Sequence, residues 1–160
     1  MALGDNTLAA ARGVANRGRR PYLVQTTLNF ATALSDKGSA LAAADVIPVI
    51  AVPAGTCILN VGAQVVTATD ATATTVDIGT GVDADVFVDG FDSKSAADTY
   101  AQNAAAFQPV MATAADNIDV TVATLTGTLA AGKLRVWALL MDVTDIGDMV
   151  GDEVDRDTLA

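Results

Sequence analysis

Residues 46–68, VIPVIAVPAGTCILNVGAQVVTA, and residues 75–92, TVDIGTGVDADVFVDGFD, decide the fold of this chain. Both stretches are rich in Val, Ile and Thr, which favour strands, and are broken at proline and glycine positions that favour turns. In residues 57–67 the apolar side chains recur at every second position, which is the period of a strand. Pro48 cannot donate a ladder hydrogen bond, which indicates an edge strand or a bulge.

The same alternation predicts strands on both sides of these stretches. They run over residues 22–30, 117–123 and 133–143, and shorter strands over 75–78 and 86–88 flank a hairpin connection at 79–85. Several short strands separated by turns predict a mostly all-β fold, either an antiparallel β-sandwich or a jelly-roll-like barrel. One short helix is expected, and residues 93–106, SKSAADTYAQNAAA, are its best candidate because they are alanine-rich and start with a capping serine.

Length and charge suggest one domain with two charged ends. The chain has 160 residues, which suits a single domain. We predict an extended N-terminal arm over residues 1–19, a β-sandwich domain over 20–143 and an acidic C-terminal tail over 144–160. Residues 1–20 hold four arginines against one aspartate, whereas residues 141–160 hold seven acidic residues against one arginine. Ends of opposite charge are typical of interaction arms.

The composition argues against most catalytic and cofactor-binding classes. There is no histidine and one cysteine, so the usual Ser/His/Asp and Cys/His schemes, a Cys/His zinc site and an intrachain disulfide are all excluded. We therefore expect no enzymatic activity and no cofactor. The net charge of −10 disfavours direct nucleic-acid binding. No apolar run suits a membrane span and no secretory signal is evident, so we expect a soluble, cytoplasmically made protein without a membrane partner.

An acidic cluster is the weak candidate for a metal site. Asp83, Asp85, Asp89 and Asp92 follow closely in sequence, and carboxylates are the ligands that calcium prefers. Their spacing is not that of a calcium-binding loop, so the favoured interpretation is a solvated acidic loop that binds no metal. A divalent cation is the alternative.

Two other groups of residues are candidates for binding. In residues 133–143 we expect one set of alternating side chains to face the core, and the opposite set to be a subunit interface, since interface centres favour Trp, Met and Arg. A core position for the tryptophan is the alternative. The interface candidates are Arg135, Trp137, Leu139 and Met141. The arm arginines either dock on an acidic partner surface or only aid solubility; they are Arg12, Arg17, Arg19 and Arg20.

Three segments carry a resemblance to a known group of proteins. Residues 44–68, residues 76–92 and LRVWALLMDV at 134–143 together resemble virion structural proteins of tailed bacteriophages, of the marine or cyanobacterial phage type. The resemblance covers residues 45–143, about two-thirds of the chain. Within that group the chain is similar to capsid decoration, or cement, proteins, which are small β domains that bind the outside of the shell and reinforce it.

The resemblance implies a function and a location. It implies a non-enzymatic cement protein that is made in the host cytoplasm, binds the major capsid protein on the outer surface of the virion head and stabilises the expanded shell. It also implies a homo-oligomer, with a trimer favoured and a dimer possible. The arm and the tail lie outside the resemblance, and capsid binding by the arm arginines is expected from their charge alone. The alternative function is a head-fibre or tail-associated module that binds a receptor or glycan. The aromatic content of 4% counts against this alternative, because sugar sites usually use exposed aromatic rings.

Overall fold

Ten strands and one helix make up the part of the chain that the structure describes. The computed structural model describes residues 8–9, 21–103 and 108–143. The predictions for the rest of the arm and for the tail at 144–160 lie outside these residues. The elements in chain order are β1 (Leu8–Ala9), β2 (Tyr22–Asn29), α1 (Phe30–Lys37), β3 (Val46–Val52), β4 (Thr56–Thr67), β5 (Ala73–Gly79), β6 (Val88–Asp92), β7 (Tyr100–Gln102), β8 (Val110–Ala112), β9 (Asp116–Thr126) and β10 (Lys133–Asp142).

The strands form two sheets. The first sheet has the order β1-β3-β9-β5-β6, and the second has the order β2-β10-β4-β7, with β8 also pairing with β4. All the described pairings are antiparallel except that of β1 with β3, where Leu8 lies opposite Ile50. The prediction of a mostly antiparallel β-sandwich is confirmed. Across the described residues the two sheets stay open and do not close into one barrel.

The core lies between the inward faces of the two sheets. Leu134, Val136, Ala138 and Leu140 of β10 are fully buried, as their alternation predicts. Ile118, Val120 and Val122 of β9 are equally buried from the opposite sheet. Each fully buried Val, Leu or Ile side chain contributes about 1.5–3 kcal/mol, so aliphatic packing supplies most of the stabilisation in a core with few aromatic rings.

Pro48 marks a bulge in β3. It lies opposite Asp119 of β9, and the next paired residue, Ile50, lies opposite Ile118, so β3 has one extra residue there. The predicted effect of this proline on the ladder is confirmed. Among the described residues only Leu8–Ala9 pair with the outer side of β3, so most of that edge bears no described strand.

The helix forms at residues 30–37, immediately after β2, and the prediction of a helix at 93–106 is wrong. The Asn29 side chain accepts a hydrogen bond from the Ala31 N–H at 3.1 Å, which caps the helix at its start. At its end Gly38 adopts φ 68° and donates to the carbonyls of Leu34 and Ser35. This left-handed conformation is the one that favours glycine. Phe30, expected to end the strand, is the first helical residue and is buried.

Residues 93–103 form turns and the short strand β7. The Asp92 carboxylate accepts a hydrogen bond from the Lys94 N–H at 2.9 Å, which closes a turn where the helix was expected to begin. The backbone N–H of Asp98 then donates to the Val65 carbonyl, and the Val65 N–H donates to the Thr99 carbonyl, both at 2.8 Å. Pairing with the edge of β4 outweighs the helix propensity of the alanines, which is a weak local preference. Residues 104–106 lie outside the described part.

The hairpin between β5 and β6 is confirmed, but its second strand starts at Val88, two residues later than predicted. Thr80 donates its N–H to the Asp83 carbonyl at 2.7 Å and so tightens the connecting loop. The loop folds back onto Gly79, where an added methyl group would lie 2.1 Å from the Asp83 carbonyl oxygen. Only a residue without a side chain permits this approach.

Among the described residues no helix is both long and apolar enough to cross a membrane.

Replacement of Gly79 tests this close approach. We expect Gly79→Ala to lower the free energy of unfolding by about 2 kcal/mol, because the backbone must shift to admit the methyl group. Gly81→Ala is the matched control, since a methyl group there would lie 3.2 Å from one side-chain oxygen of Asp116. Urea unfolding of both variants gives the comparison. An equal loss of stability in the two variants would contradict this account of the loop.

Candidate interaction surfaces

The outward side chains of β10 lie on the outer face of the second sheet. Arg135 is exposed, whereas Trp137, Leu139 and Met141 are half-buried and point away from the core. They alternate with the four fully buried residues of the same strand. The structure therefore brings the predicted interface residues together on one face, where another molecule has access to them.

Trp137 packs against its own sheet, outside the sandwich core. It lies opposite Gly62 of β4. A methyl group added to Gly62 would lie 2.3 Å from Cζ2 of the indole and 2.7 Å from the Ala101 carbonyl oxygen. The indole ring thus packs on the bare backbone of Gly62, and Trp137 is half-buried, unlike the fully buried residues that alternate with it in β10.

Neighbouring strands extend this face with further apolar side chains. Leu23 lies opposite Leu139 and is 61% exposed. Cys57 lies opposite both Met141 and Met111. Exposed apolar side chains that cluster in this way are characteristic of interaction surfaces. We define the outer apolar face as Leu23, Cys57, Tyr100, Met111, Trp137, Leu139 and Met141.

Sequence analysis missed the members of this face that lie outside β10. Tyr100 was assigned to a helix, and it lies on β7, opposite Gln64, with 69% of its surface exposed. Leu23 and Met111 reach the face only through the pairing of strands that are distant in sequence. The alternation within residues 22–30 places Leu23 on the polar side of its strand, and this is the signal that identifies it as an outward leucine.

A hydrogen-bonded chain of polar groups borders the face. Arg135 Nη1 donates to Gln64 Oε1 at 3.0 Å, and Gln64 Nε2 donates to Asp98 Oδ1, also at 3.0 Å. The guanidinium group of β10 is thereby held against the side chain of Gln64 on the neighbouring strand β4. A polar border around an apolar centre is the usual anatomy of a protein–protein interface.

The aspartates of the acidic cluster are dispersed. The Asp83 and Asp85 carboxyl groups hydrogen-bond to each other, which, with their mutual repulsion, raises the pKa of Asp85. Asp92 caps its own turn, and Asp89 is exposed on β6. Within the described part of the chain, no three or more acidic or cysteine side chains lie close enough to hold a metal ion.

Two further aspartates join the loop that carries Asp83 and Asp85. Asp119 lies opposite Gly79, beneath the point where the loop folds back, and Asp116 lies beside Gly81. Asp119 is only 8% exposed. Burial raises the pKa of Asp119 to about 6, and repulsion from Asp116 adds to the shift. We call Asp83, Asp85, Asp116 and Asp119 the acidic end.

A cavity of about 610 Å³ opens beside the acidic end. Asp83 and Asp116 lie on its wall together with Val52, Ile58 and Val86. Its volume is within the range of pockets that bind small ligands, about 300–1,000 Å³. The cavity thus combines an apolar lining with carboxylates.

None of the described cations contacts the acidic end. Lys37 pairs with Asp45, where burial alone would raise the pKa of the carboxyl group but the Lys37 hydrogen bond and the Ala42 N–H lower it. Lys94 donates to the Ala71 carbonyl. The arm arginines Arg12, Arg17, Arg19 and Arg20 lie outside the described residues. The acidic end therefore has no described counter-charge.

Comparison with known proteins shows that the fold of this chain is similar to folds in solved structures. No family model matches the chain, and no curated protein matches its sequence significantly. The similar chains in solved structures include the following three. One is from the cyanophage Pam1 capsid asymmetric unit, with TM-score 0.60, 18% identity and coverage of 83% of this chain and 90% of that chain. Another is from the capsid of Ralstonia phage GP4, with TM-score 0.52, 15% identity and coverage of 78% and 84%.

The third is from an acid-stable capsid structure of the Helicobacter pylori bacteriophage KHP30. It has TM-score 0.47 and 21% identity, and the match covers 74% of this chain and 86% of that chain. At these identities the likeness to Pam1 and GP4 chains establishes a shared fold. Because most of both chains is covered in each case, the shared fold extends over the β-sandwich as a whole.

The buried carboxyl group of Asp119 makes stability depend on pH. Its folded pKa of about 6 lies above the unfolded value of about 3.9, so the folded state loses stability as the pH rises from about 4 through 6. Asp119→Asn stays neutral and avoids that loss. We expect the variant to be more stable by about 1–2 kcal/mol at pH 8, after allowance for solvent screening, and equal to the original protein near pH 4.

Thermal unfolding at the two pH values measures this difference. Asp89→Asn, at an exposed position of β6, controls for the loss of one negative charge. A stability gain for Asp119→Asn that is the same at pH 4 and pH 8 would show that ionisation of Asp119 is not the cause.

Proposed function

We propose that this chain is a non-enzymatic structural component of a tailed-phage virion, and specifically a cement protein that binds the outer surface of the head. The observation that carries the proposal is the shared fold with chains of the Pam1 and GP4 capsid structures, over most of both chains. Since 83% of this chain matches 90% of the Pam1 chain, the two are of similar length. A small single β-sandwich suits an added layer on a shell.

Stabilisation of the shell follows from multivalent contact. A cement protein bridges neighbouring major capsid proteins and so resists the forces that separate them. Several weak contacts from one oligomer, each to a different subunit of the lattice, raise the overall affinity without any single strong site. The charged arm of each subunit supplies one such contact, so an oligomer reaches several subunits of the lattice. We propose a homotrimer, with a dimer as the second arrangement.

Co-sedimentation tests the proposal. Expanded capsids that lack the protein are incubated with increasing concentrations of it and then pelleted, so that binding is measured. Capsids with and without the bound protein are then heated to compare the temperatures at which the shells disrupt. We expect saturable binding and a higher temperature of shell disruption. A protein that stays in the supernatant at every concentration contradicts the cement function. A head-fibre or tail-associated module that binds glycans is the second candidate, favoured by the exposed ring of Tyr100, and signal on a glycan array would support it.

The arm arginines are expected to bind an acidic surface of the shell. Changing Arg12, Arg17, Arg19 and Arg20 together to Gln removes their charge and keeps the backbone, including the pairing of Leu8–Ala9 with β3. We expect capsid affinity to fall at least about tenfold, as loss of four ion pairs of a few tenths of a kcal/mol each predicts, with the melting temperature nearly unchanged. Lys133→Gln, at an exposed position, is the control. Unchanged co-sedimentation of the fourfold variant would contradict a role for the arm.

Trp137 is expected to be the centre of the subunit interface. Trp137→Ala should shift the protein from oligomer towards monomer, with a cost of about 2 kcal/mol or more per subunit if the indole is a hot spot. Sedimentation velocity of the variant measures the shift. Val46→Ala, which truncates an exposed valine of the other sheet, is the control.

A second variant tests the same face in case Trp137→Ala fails to fold. Leu23 is largely exposed, so Leu23→Ser removes apolar surface from the same face with little effect on the core. We expect it to weaken the oligomer as well. Oligomers that persist in both variants would place the interface elsewhere on the chain.

A further inference from the structure

Three of the four outer edges of the two sheets carry features that hinder pairing with another strand. The edge at β3 has Pro48 in a bulge and is partly covered by Leu8–Ala9. The edge strand β6 has the exposed Asp89 and Asp92, with Gly90 between them at φ 64°. At one edge of the second sheet, β7 and β8 have three residues each. Proline, bulges, charges and short strands all keep a sheet edge from pairing with another molecule.

The fourth edge, at β2, has none of these features. The strand has eight residues, YLVQTTLN, without a charged residue, proline or glycine. Its pairing with β10 runs from residue 22 to residue 29 without a register shift. Among the described residues, no strand pairs with its other side. A long, regular and uncharged edge strand is a template on which another strand can add.

Every second residue of β2 turns its backbone polar groups towards this edge. The Phe30 N–H donates to the Gly132 carbonyl at 3.1 Å, in continuation of the ladder between β2 and β10. Because hydrogen-bonded and non-hydrogen-bonded pairs alternate in an antiparallel ladder, the even-numbered residues of β2 bond to β10. Leu23, Gln25 and Thr27 therefore direct their N–H and C=O groups outward. The side chains of these three residues are exposed as well.

The same strand of a second copy fits this edge. In an antiparallel pair the residues opposite each other point to the same face, so a twofold axis must bring together side chains of the same face. An axis at Gln25 does so, because it sets Leu23 opposite Thr27 of the other copy, both on the outer face. It also sets the inward Val24 opposite Thr26. Pairing from residue 23 to residue 27 forms about six backbone hydrogen bonds across the axis.

We propose that two copies of this chain pair antiparallel through their β2 edges, with the twofold axis at Gln25, so that their second sheets join into one continuous sheet. Such a contact uses the same patch on both subunits and closes on itself as a dimer. It lies at the edge of the sheet and is separate from the contact at Trp137. It also does not depend on binding to a shell, so its failure leaves the proposed function standing.

Disulfide trapping tests the pairing and its register. Each variant carries one introduced cysteine and Cys57→Ser, and is oxidised with copper phenanthroline. Hydrogen-bonded antiparallel pairs have Cα atoms about 5.5 Å apart, within the usual disulfide range of about 4.4–6.8 Å. We therefore expect Gln25→Cys to form covalent dimers with itself. Asp89→Cys, on the exposed edge strand β6, is the control and should remain mostly monomeric on denaturing gels.

Two further cysteine variants fix the position of the axis. Leu23→Cys and Thr27→Cys are each expected to remain monomeric when oxidised alone, because like positions are four residues apart along the paired strands, about 13 Å. An equimolar mixture of the two is expected to form the covalent dimer. Self-linked Leu23→Cys, or a mixture that does not link, would overturn the register. Gln25→Cys that links no better than Asp89→Cys would overturn the pairing itself.

Charge at the axis gives an independent test without oxidation. Gln25→Lys and Gln25→Glu each place two like charges directly opposite each other. We expect each alone to raise the dissociation constant of the dimer at least about threefold in sedimentation equilibrium. An equimolar mixture of the two places opposite charges at the axis, and we expect association to recover. Gln102→Lys, at an exposed position of β7, is the matched control and should leave the constant unchanged.

The outcomes separate this contact from the others. Circular dichroism confirms that each variant is folded, and the exposed position of Gln25 makes a loss of folding unexpected. A protein that is monomeric at every concentration and forms no Gln25→Cys dimer overturns the proposal. An oligomer that ignores charge at position 25 but dissociates in Trp137→Ala also overturns it, and supports the interface at Trp137 instead. In neither case does capsid co-sedimentation have to change.

Discussion

The position of β10 between β2 and β4 is the constraint on which the rest of the structure depends. Each pairing is antiparallel and extends along nearly the whole strand. Because side chains alternate between the faces of a strand, a slip of one residue would exchange the core residue Val136 with Trp137. The register therefore decides the core and the outer face together. It also places Gly62 beneath the indole, where any other residue would collide with it.

In the first sheet, the strand register brings several negatively charged side chains to one end of the sandwich. Pairing of β5 with β9 sets Asp119 opposite Gly79, and the loop after Gly79 then places Asp83 and Asp85 on the same end of the sandwich. A cluster of like charges is unfavourable for the isolated chain.

Much of the fold is predictable from local patterns, and the reasons for the exceptions are physical. Side chains alternate regularly between the two faces in β2 and β10, and the bounds of these strands agree with the prediction to within a residue. The helix was misplaced because capping by Asn29 and Gly38 is subtle in sequence, whereas the alanines near residue 100 suggest a helix that pairing with β4 prevents. The acidic end escaped prediction because Asp116 and Asp119 join the loop only through long-range pairing. A single aspartate between Ile118 and Val120 has the pattern of a solvated outward residue.

The packing of Trp137 against Gly62 on the outside of the sheet has a spectroscopic consequence. The chain has one tryptophan, and that residue is half-buried on the outside of the sheet. Its fluorescence consequently reports on the surface of the folded molecule. Exclusion of water by a partner shifts the emission to shorter wavelength, whereas unfolding exposes the ring and shifts it to longer wavelength. Association and denaturation therefore move the same optical signal in opposite directions, so one unlabelled sample distinguishes the two events.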